Sequence, residues 1–163
     1  MTIRKATPSD LEEIIRIYHT AKAFMISTGN KSQWVNGYPQ RELLEEDIAK
    51  GYCHVYEDYG IHGVFALIEG EDPTYKEIED GQWLNNKPYG TIHRIGSDGT
   101  VKGVLAAAVD YCKTICPELR IDTHYDNKVM QHLVPKNGFR RCGIIHLADG
   151  SPRIAYQYTS EYI

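Results

Sequence analysis

The spacing of apolar positions changes several times along the chain, and each change marks a new element. Residues 2–6, "TIRKA", read as a short first strand. In "PSDLEEIIRIYHTAKAFM" the residues Leu11, Ile14, Ile15, Tyr18 and Met25 recur at helical spacing, the stripe of an amphipathic helix. Ser9 stands as its N-cap with Glu12 in capping-box position. The polar, aromatic loop "STGNKSQWVNGYPQ" follows, then a second helix, "RELLEEDIAK", which stops at Gly51. "YCHVYEDYGIHGVFALIEG" holds two strand-like runs around a Tyr59-Gly60 turn and predicts an antiparallel hairpin.

Between residues 69 and 87 the periodicity lapses. This stretch is acidic, carries Pro73, Gly81 and Trp83, and reads as a long loop with aromatic anchors; such loops inside a compact domain tend to be functional. A strand over 89–96 breaks at "GSDG" and gives way to an Ala-rich helix over about 101–116, which ends before Pro117. "LRIDTH" is a short strand, and "DNKVMQHLVPKNG" begins like a helix with Asp126 as its cap. Pro135 lacks an N–H and biases Val134 away from helical geometry, so that helix is expected to kink or end early. "FRRCGIIHL" and "RIAYQYT" close the chain as two strands around a turn at 148–152, and they offer an edge for a homodimer. The order β-α-α-β-β-β-α-β-α-β-β, with no repeat or linker, predicts one mixed α/β domain over residues 1–163.

Composition narrows the function. A length of 163 residues suits one well-buried core. The net charge of −4, with no run of Lys or Arg, argues against a nucleic-acid binder. The N-terminus lacks the apolar segment of a signal peptide, and no stretch approaches the roughly 20 apolar residues of a membrane span. A cytoplasmic protein with no membrane partner is the expectation. Cys53, Cys112, Cys116 and Cys142 lack the close pairs of a zinc ribbon or a redox motif, so they read as small, reduced core residues. His124, Asp126 and His132 lack a recognised zinc spacing, and no metal is expected.

The stretch "IHRIGSDGTVKGVLAAAVDYCKT" carries the candidate chemistry. A strand, a bare turn and a helix N-terminus in that order expose N–H groups and the positive end of a helix dipole, which suits a phosphate. Neither a P-loop nor a dinucleotide GxGxxG is present, and a plain connection with Gly103 as a packing glycine stays open. The succession of strand, "SDGTVKGV", helix, strand and an Asn-headed helix closing on "KNGF" resembles the GNAT acyltransferase superfamily over essentially the whole chain. The resemblance implies a mostly antiparallel sheet of six to seven strands flanked by about four helices. It also implies transfer of an acetyl group from acetyl-CoA to a small amine-bearing acceptor. The family's glycine motif falls on Thr100, Gly103 and Leu105, of which Thr100 and Leu105 depart from its pattern. By the same resemblance Ile95, Ser97, Thr100, Val101, Lys102, Gly103 and Val104, with Asn127 and Lys136, would hold coenzyme A. The tyrosine that many members use to protonate the leaving thiolate is here Val134.

Among the histidines, His93 and His124 stand apart. Alternation along the fourth strand would put Tyr89, Thr91, His93 and Ile95 on one face, and His124 ends the next strand. In the family these strands part over the thioester, and an imidazole suits removal of a proton from an ammonium nucleophile. Which of the two serves is open at this point. Trp34 and Tyr38 can serve simply to pin the first loop, but the resemblance implies that they, with Tyr75, Trp83 and Tyr89 in and beside the second, form an aromatic acceptor pocket with acidic neighbours, fitted to a cationic amine. Val134 and Leu105 favour an alternative, a catalytically silent sensor or structural protein that binds coenzyme A.

Overall fold

The structure is a computed structural model that describes residues 1–161. Its elements follow the order the pattern predicts: β1 (Thr2–Lys5), α1 (Leu11–Ser27), α2 (Arg41–Ala49), β2 (Cys53–Glu57), β3 (Ile61–Glu69), β4 (Gly90–Ser97), α3 (Val104–Lys113), β5 (Glu118–Thr123), α4 (Lys128–Lys136), β6 (Arg140–His146) and β7 (Pro152–Thr159). The seven strands form one sheet in the order β1-β2-β3-β4-β5-β7-β6. Every neighbouring pair is antiparallel except β4 and β5.

Each face of the sheet hides its apolar positions differently. On one face α3 and α4 bury Leu105, Val109 and Val134 against Phe65, Ile92, Leu119 and Ile154. On the other, α1 and α2 bury Ile14, Ile17 and Leu44 against Val55 and Val64 of the β2–β3 side. Among the described residues no α-helix reaches the rest of that face. The segment over 70–88 covers it instead, with Tyr75, Ile78 and Trp83 packed against Tyr89, Ile145 and Ala155. Large aromatics suit that task, since each buries a wide apolar area without needing a helical frame.

Four local features differ from the sequence pattern. The first helical turn is set by Pro8 rather than capped by Ser9. A short 3-10 turn spans Pro8–Asp10, and the Thr7 N–H donates to the Asp10 carboxylate at 2.8 Å. Helix α3 starts at Val104, because Gly103 is left-handed at φ +80° and helical geometry cannot extend back through it. Asn127, not Asp126, caps α4, its Oδ1 accepting the Met130 N–H at 3.1 Å. That helix runs through Pro135 to Lys136 without being cut at Val134, since the proline lies in its last turn.

A further difference reorganises β4. Arg94 takes φ +51°, and the register with β3 jumps between Val64 and Ala66, so Arg94 and Ile95 together oppose Phe65. This bulge flips the alternation. Tyr89 packs on the aromatic side with Tyr75, whereas Ile95 joins Ile92 against the α3 cluster. Ile95 therefore does not share a face with Tyr89, Thr91 and His93, as simple alternation would have it. At the sheet's far edge Glu79 exchanges main-chain hydrogen bonds with Ile144 of β6, so the edge open to a second copy is already covered there. Among the described residues no helix is long and apolar enough to cross a membrane.

Candidate active site

Parallel pairing of β4 with β5 is brief. Gly90 pairs with Leu119 and Thr91 with Arg120, after which the two strands part. A cleft of about 890 Å³ opens along the split. His93, Ile95 and Ser97 line it from β4, and Asp122 and His124 from the β5 side. Val101, Gly103 and Val104 line it before α3, Asn127 lies at the head of α4, and Trp34 and Tyr38 come from the loop after α1.

The turn before α3 is built as an anion cradle. The first helical bond runs from the Ala107 N–H to the Gly103 carbonyl, leaving the N–H groups of Val104, Leu105 and Ala106 without helical acceptors. A Cβ built at Gly103 would meet nothing within 4 Å, so the main chain there is open to a ligand. Leu105, the family's second small position, is buried in the α3 cluster and leaves the cradle clear. Asp98 locks the turn from behind, accepting from the Thr100 N–H at 3.0 Å and the Thr100 hydroxyl at 2.7 Å, with His62 at 3.0 Å. Burial opposes the Asp98 charge, but these bonds outweigh it and hold the carboxyl at about 2. The Thr100 hydroxyl is thus occupied within the turn, and Thr100 does not line the cleft; neither do the exposed Lys102 and Lys136.

The two histidines offer different chemistry. His93 Nε2 lies 3.3 Å from Asp72 Oδ2. Burial works against the Asp72 charge, yet hydrogen bonds from His93 and from the Thr74 hydroxyl and N–H bring its carboxyl down to about 2. With Nε2 turned to this carboxylate, the Nδ1 of His93 has no partner among the described residues and is free to accept a proton in the cleft. His124 is wired the other way. Its Nδ1 accepts the Asp126 N–H at 2.9 Å, so its proton sits on Nε2. Burial first, and Arg153 second, lower the His124 pKa and keep the ring neutral. His93 offers a lone pair where His124 offers a hydrogen-bond donor.

The loop after α1 is tied to the rest of the cleft by several side chains. Trp34 is buried and meets Tyr18 edge-on, with ring centroids 5.5 Å apart. Tyr38 accepts from Arg94 at 3.1 Å, and Arg94 grips Asp47 through two bonds of 2.9 Å. Gln33 ties this loop across the split, its Oε1 taking bonds from the His124 N–H at 3.3 Å and the Asn127 amide at 3.1 Å. Tyr75, Trp83 and Tyr89 do not line the cleft. They form the aromatic layer under the 70–88 segment, where Arg120 stacks 3.9 Å from both Trp83 and Tyr89. Two of them still serve the cleft from beneath: the Tyr75 hydroxyl donates to Asp122 at 2.5 Å, and the Tyr89 hydroxyl accepts the Asp72 N–H at 2.8 Å.

Sequence reasoning passes over Asp72, Asp122, Arg153 and Gln33, all of which line the cleft. A signal exists for two of them. Asp122 in "LRIDTH" and Arg153 at the head of "RIAYQYT" are charges set at alternate positions of otherwise β-favouring strands. Among the described residues no group of three His, Cys, Asp or Glu side chains is placed to hold a metal.

No sequence-family model matches the chain, and no curated protein does. Solved structures do. A GNAT-family acetyltransferase of Streptococcus agalactiae is 34% identical, superposes with a TM-score of 0.89, and the match covers 99% of this chain and 96% of that one. GNAT-family acetyltransferases of Listeria monocytogenes (17% identity, TM-score 0.71, 96% and 92% of the two chains) and Bacillus cereus (22%, 0.62, 99% and 98%) share the fold. With the split between β4 and β5, the cradle before α3 and a relative of that identity over nearly its full length, the chain belongs to the GNAT acetyltransferase family.

Proposed function

We propose that this protein moves the acetyl group of acetyl-CoA to a small amine-bearing acceptor. The observation that carries the reading is the Asp72–His93 pair inside the β4–β5 split, in the cleft that also holds the anion cradle. The N–H groups of Val104, Leu105 and Ala106 would take the pyrophosphate, helped by the positive end of the α3 dipole. Main chain near Ile95, displaced from the ladder by the bulge, would face the rest of the donor, with an N–H there stabilising the oxyanion. Ser97, Val101 and Asn127 complete that side, while Lys102 and Lys136 lend positive charge from outside.

Acetyl-CoA supplies a thioester whose carbonyl carbon takes a nitrogen nucleophile. The acceptor enters beside Trp34 and Tyr38 as an ammonium, and His93 Nδ1 takes its proton, directly or through water. Asp72 stabilises the imidazolium that results. The new bond joins nitrogen to carbon, the adduct nitrogen gives its second proton to water, the carbon–sulfur bond breaks, and the thiolate leaves. Val134 is 1% exposed and has no proton to give. A thiol pKa near 8.5 makes the thiolate a tolerable leaving group, so positioning and oxyanion stabilisation matter more than its protonation.

The buried Val134 is also what favours the second reading, a coenzyme A-binding sensor. Acceptor-dependent thiol release across a panel of small amines separates the two. Wild type should turn over, and His93→Ala should lose roughly 10²–10⁴-fold in rate, the usual range for a general base. A wild type that binds acetyl-CoA but releases no thiol with any amine sinks the enzyme reading.

A further inference from the structure

Arg153 at the head of β7 is 5% exposed and lines the cleft. Its Nη1 donates to the Ser151 hydroxyl at 3.1 Å and to the Pro152 carbonyl at 2.9 Å, both neutral groups. Among the described residues no carboxylate comes within ion-pairing distance of it. Arg94 and Arg4 are treated differently, whereas Arg120 is likewise buried without a carboxylate partner but stacks between Trp83 and Tyr89. Arg94 holds Asp47 through two bonds, and Arg4 holds both Asp10 and Glu57. Asp122 and Asp149 act on Arg153 only at longer range.

Its remaining nitrogens point the same way. Nε and Nη2 of Arg153 have no hydrogen-bond partner, yet they are not sealed away as the unpartnered Nε of Arg120 is. A buried cation with spare donors reaching a cleft is costly unless an anion arrives to meet it. The guanidinium fork matches a carboxylate in two-bond geometry. On the same face of the sheet stand Asp122 and His93, with Asp72 behind the imidazole. The cleft therefore presents negative charge toward an amine and a separate positive group beside it.

We propose that the acceptor is an amino acid or a close analogue, an amine bearing a carboxylate, and that Arg153 receives the carboxylate while the amine faces His93. This rests on the acetyl-transfer reading. It adds what that reading leaves open, the chemical class of the acceptor and the residue that selects it.

The test titrates the twenty amino acids, their carboxamides and the matching decarboxylated amines into the protein saturated with coenzyme A, read by calorimetry. At least one amino acid should bind, with its amide and its amine at least about tenfold weaker. Arg153→Met should weaken that amino acid by about 10²-fold and leave its decarboxylated amine within about threefold. Arg153→Lys, which keeps the charge and guards against a folding failure of the first variant, should retain much of the preference. If amides bind as tightly as acids, if no amino acid binds, or if Arg153→Met weakens both classes alike, the assignment is overturned and Arg153 is a brace for the β6–β7 turn. Thiol release from acetyl-CoA is followed separately. Binding through Arg153 without turnover sinks the transfer reading and leaves Arg153 as the carboxylate contact of an amino-acid-binding site.

Discussion

His54 shows what one side chain costs when the fold leaves it half-served. It is 2% exposed, stacks on Phe65 at 5.1 Å, and shares one hydrogen bond, Nδ1 with the Tyr52 carbonyl at 2.8 Å. Its Nε2 is buried with no partner. Burial lowers its pKa, and the folded state holds it neutral. The unfolded chain takes up that proton near the ordinary value of about 6.5, so below it U binds more protons than N and stability falls with pH. His124, also lowered chiefly by burial, adds to the same slope. Urea midpoints should therefore drop between about pH 7 and pH 5, and His54→Phe should flatten part of that drop. An unchanged slope in the variant would assign the effect elsewhere.

At the level of elements, Gly103 and Val134 make opposite demands. The space above Gly103 is open, and aspartate is among the residues that visit the left-handed backbone there, so Gly103→Asp should keep the fold by circular dichroism at a strain cost of about 1–2 kcal/mol. It sets a carboxylate where an anion is expected, and the thermal shift from acetyl-CoA should vanish. Val134 sits inside the α3–α4 cluster, where a tyrosine ring overpacks the core at a cost of about 1–3 kcal/mol. Val134→Tyr should lower the denaturation midpoint and leave thiol release no faster than wild type. The element order was readable from apolar spacing because it is local information. What was not readable depended on backbone geometry or on distant strands. The Arg94 bulge turned Ile95 to the other face, and Gly103 shortened α3. The aromatics of 70–88 went to the sheet because, among the described residues, no α-helix covers that half of it. Gly103 could be singled out from the strand–turn–helix pattern, and His93 and His124 from their strand positions together with the family resemblance. Asp72 and Arg153 gain meaning only once the fold brings a loop and a closing strand to the same cleft.

Across the whole molecule, one half-sheet carries β1 to β4 and the other β5, β7 and β6, with two paired positions between them. Helix α3 spans the join, packing on both β4 and β5. A ligand bound in the split touches both halves and stabilises the native state by mass action, about 2.7 kcal/mol at a hundredfold excess over Kd. Acetyl-CoA should accordingly raise the melting temperature, and ATP and NAD should do so far less. Equal shifts from all three would remove the case for a coenzyme A cradle.

The parting of β4 from β5 also means that two strand edges face each other inside the domain beyond Thr91 and Arg120. Edges elsewhere in proteins are shielded because their main-chain groups pair readily with any extended chain. Here they are aimed at a cleft, where a donor with peptide-like groups would knit the halves together. Amide hydrogens on the facing sides of residues 92–96 and 121–123 should exchange quickly in the free protein and slow sharply with acetyl-CoA, while those between β2 and β3 barely change. The sheet would then be least cooperative along its own midline, and the ligand would be the stitch that makes it behave as one.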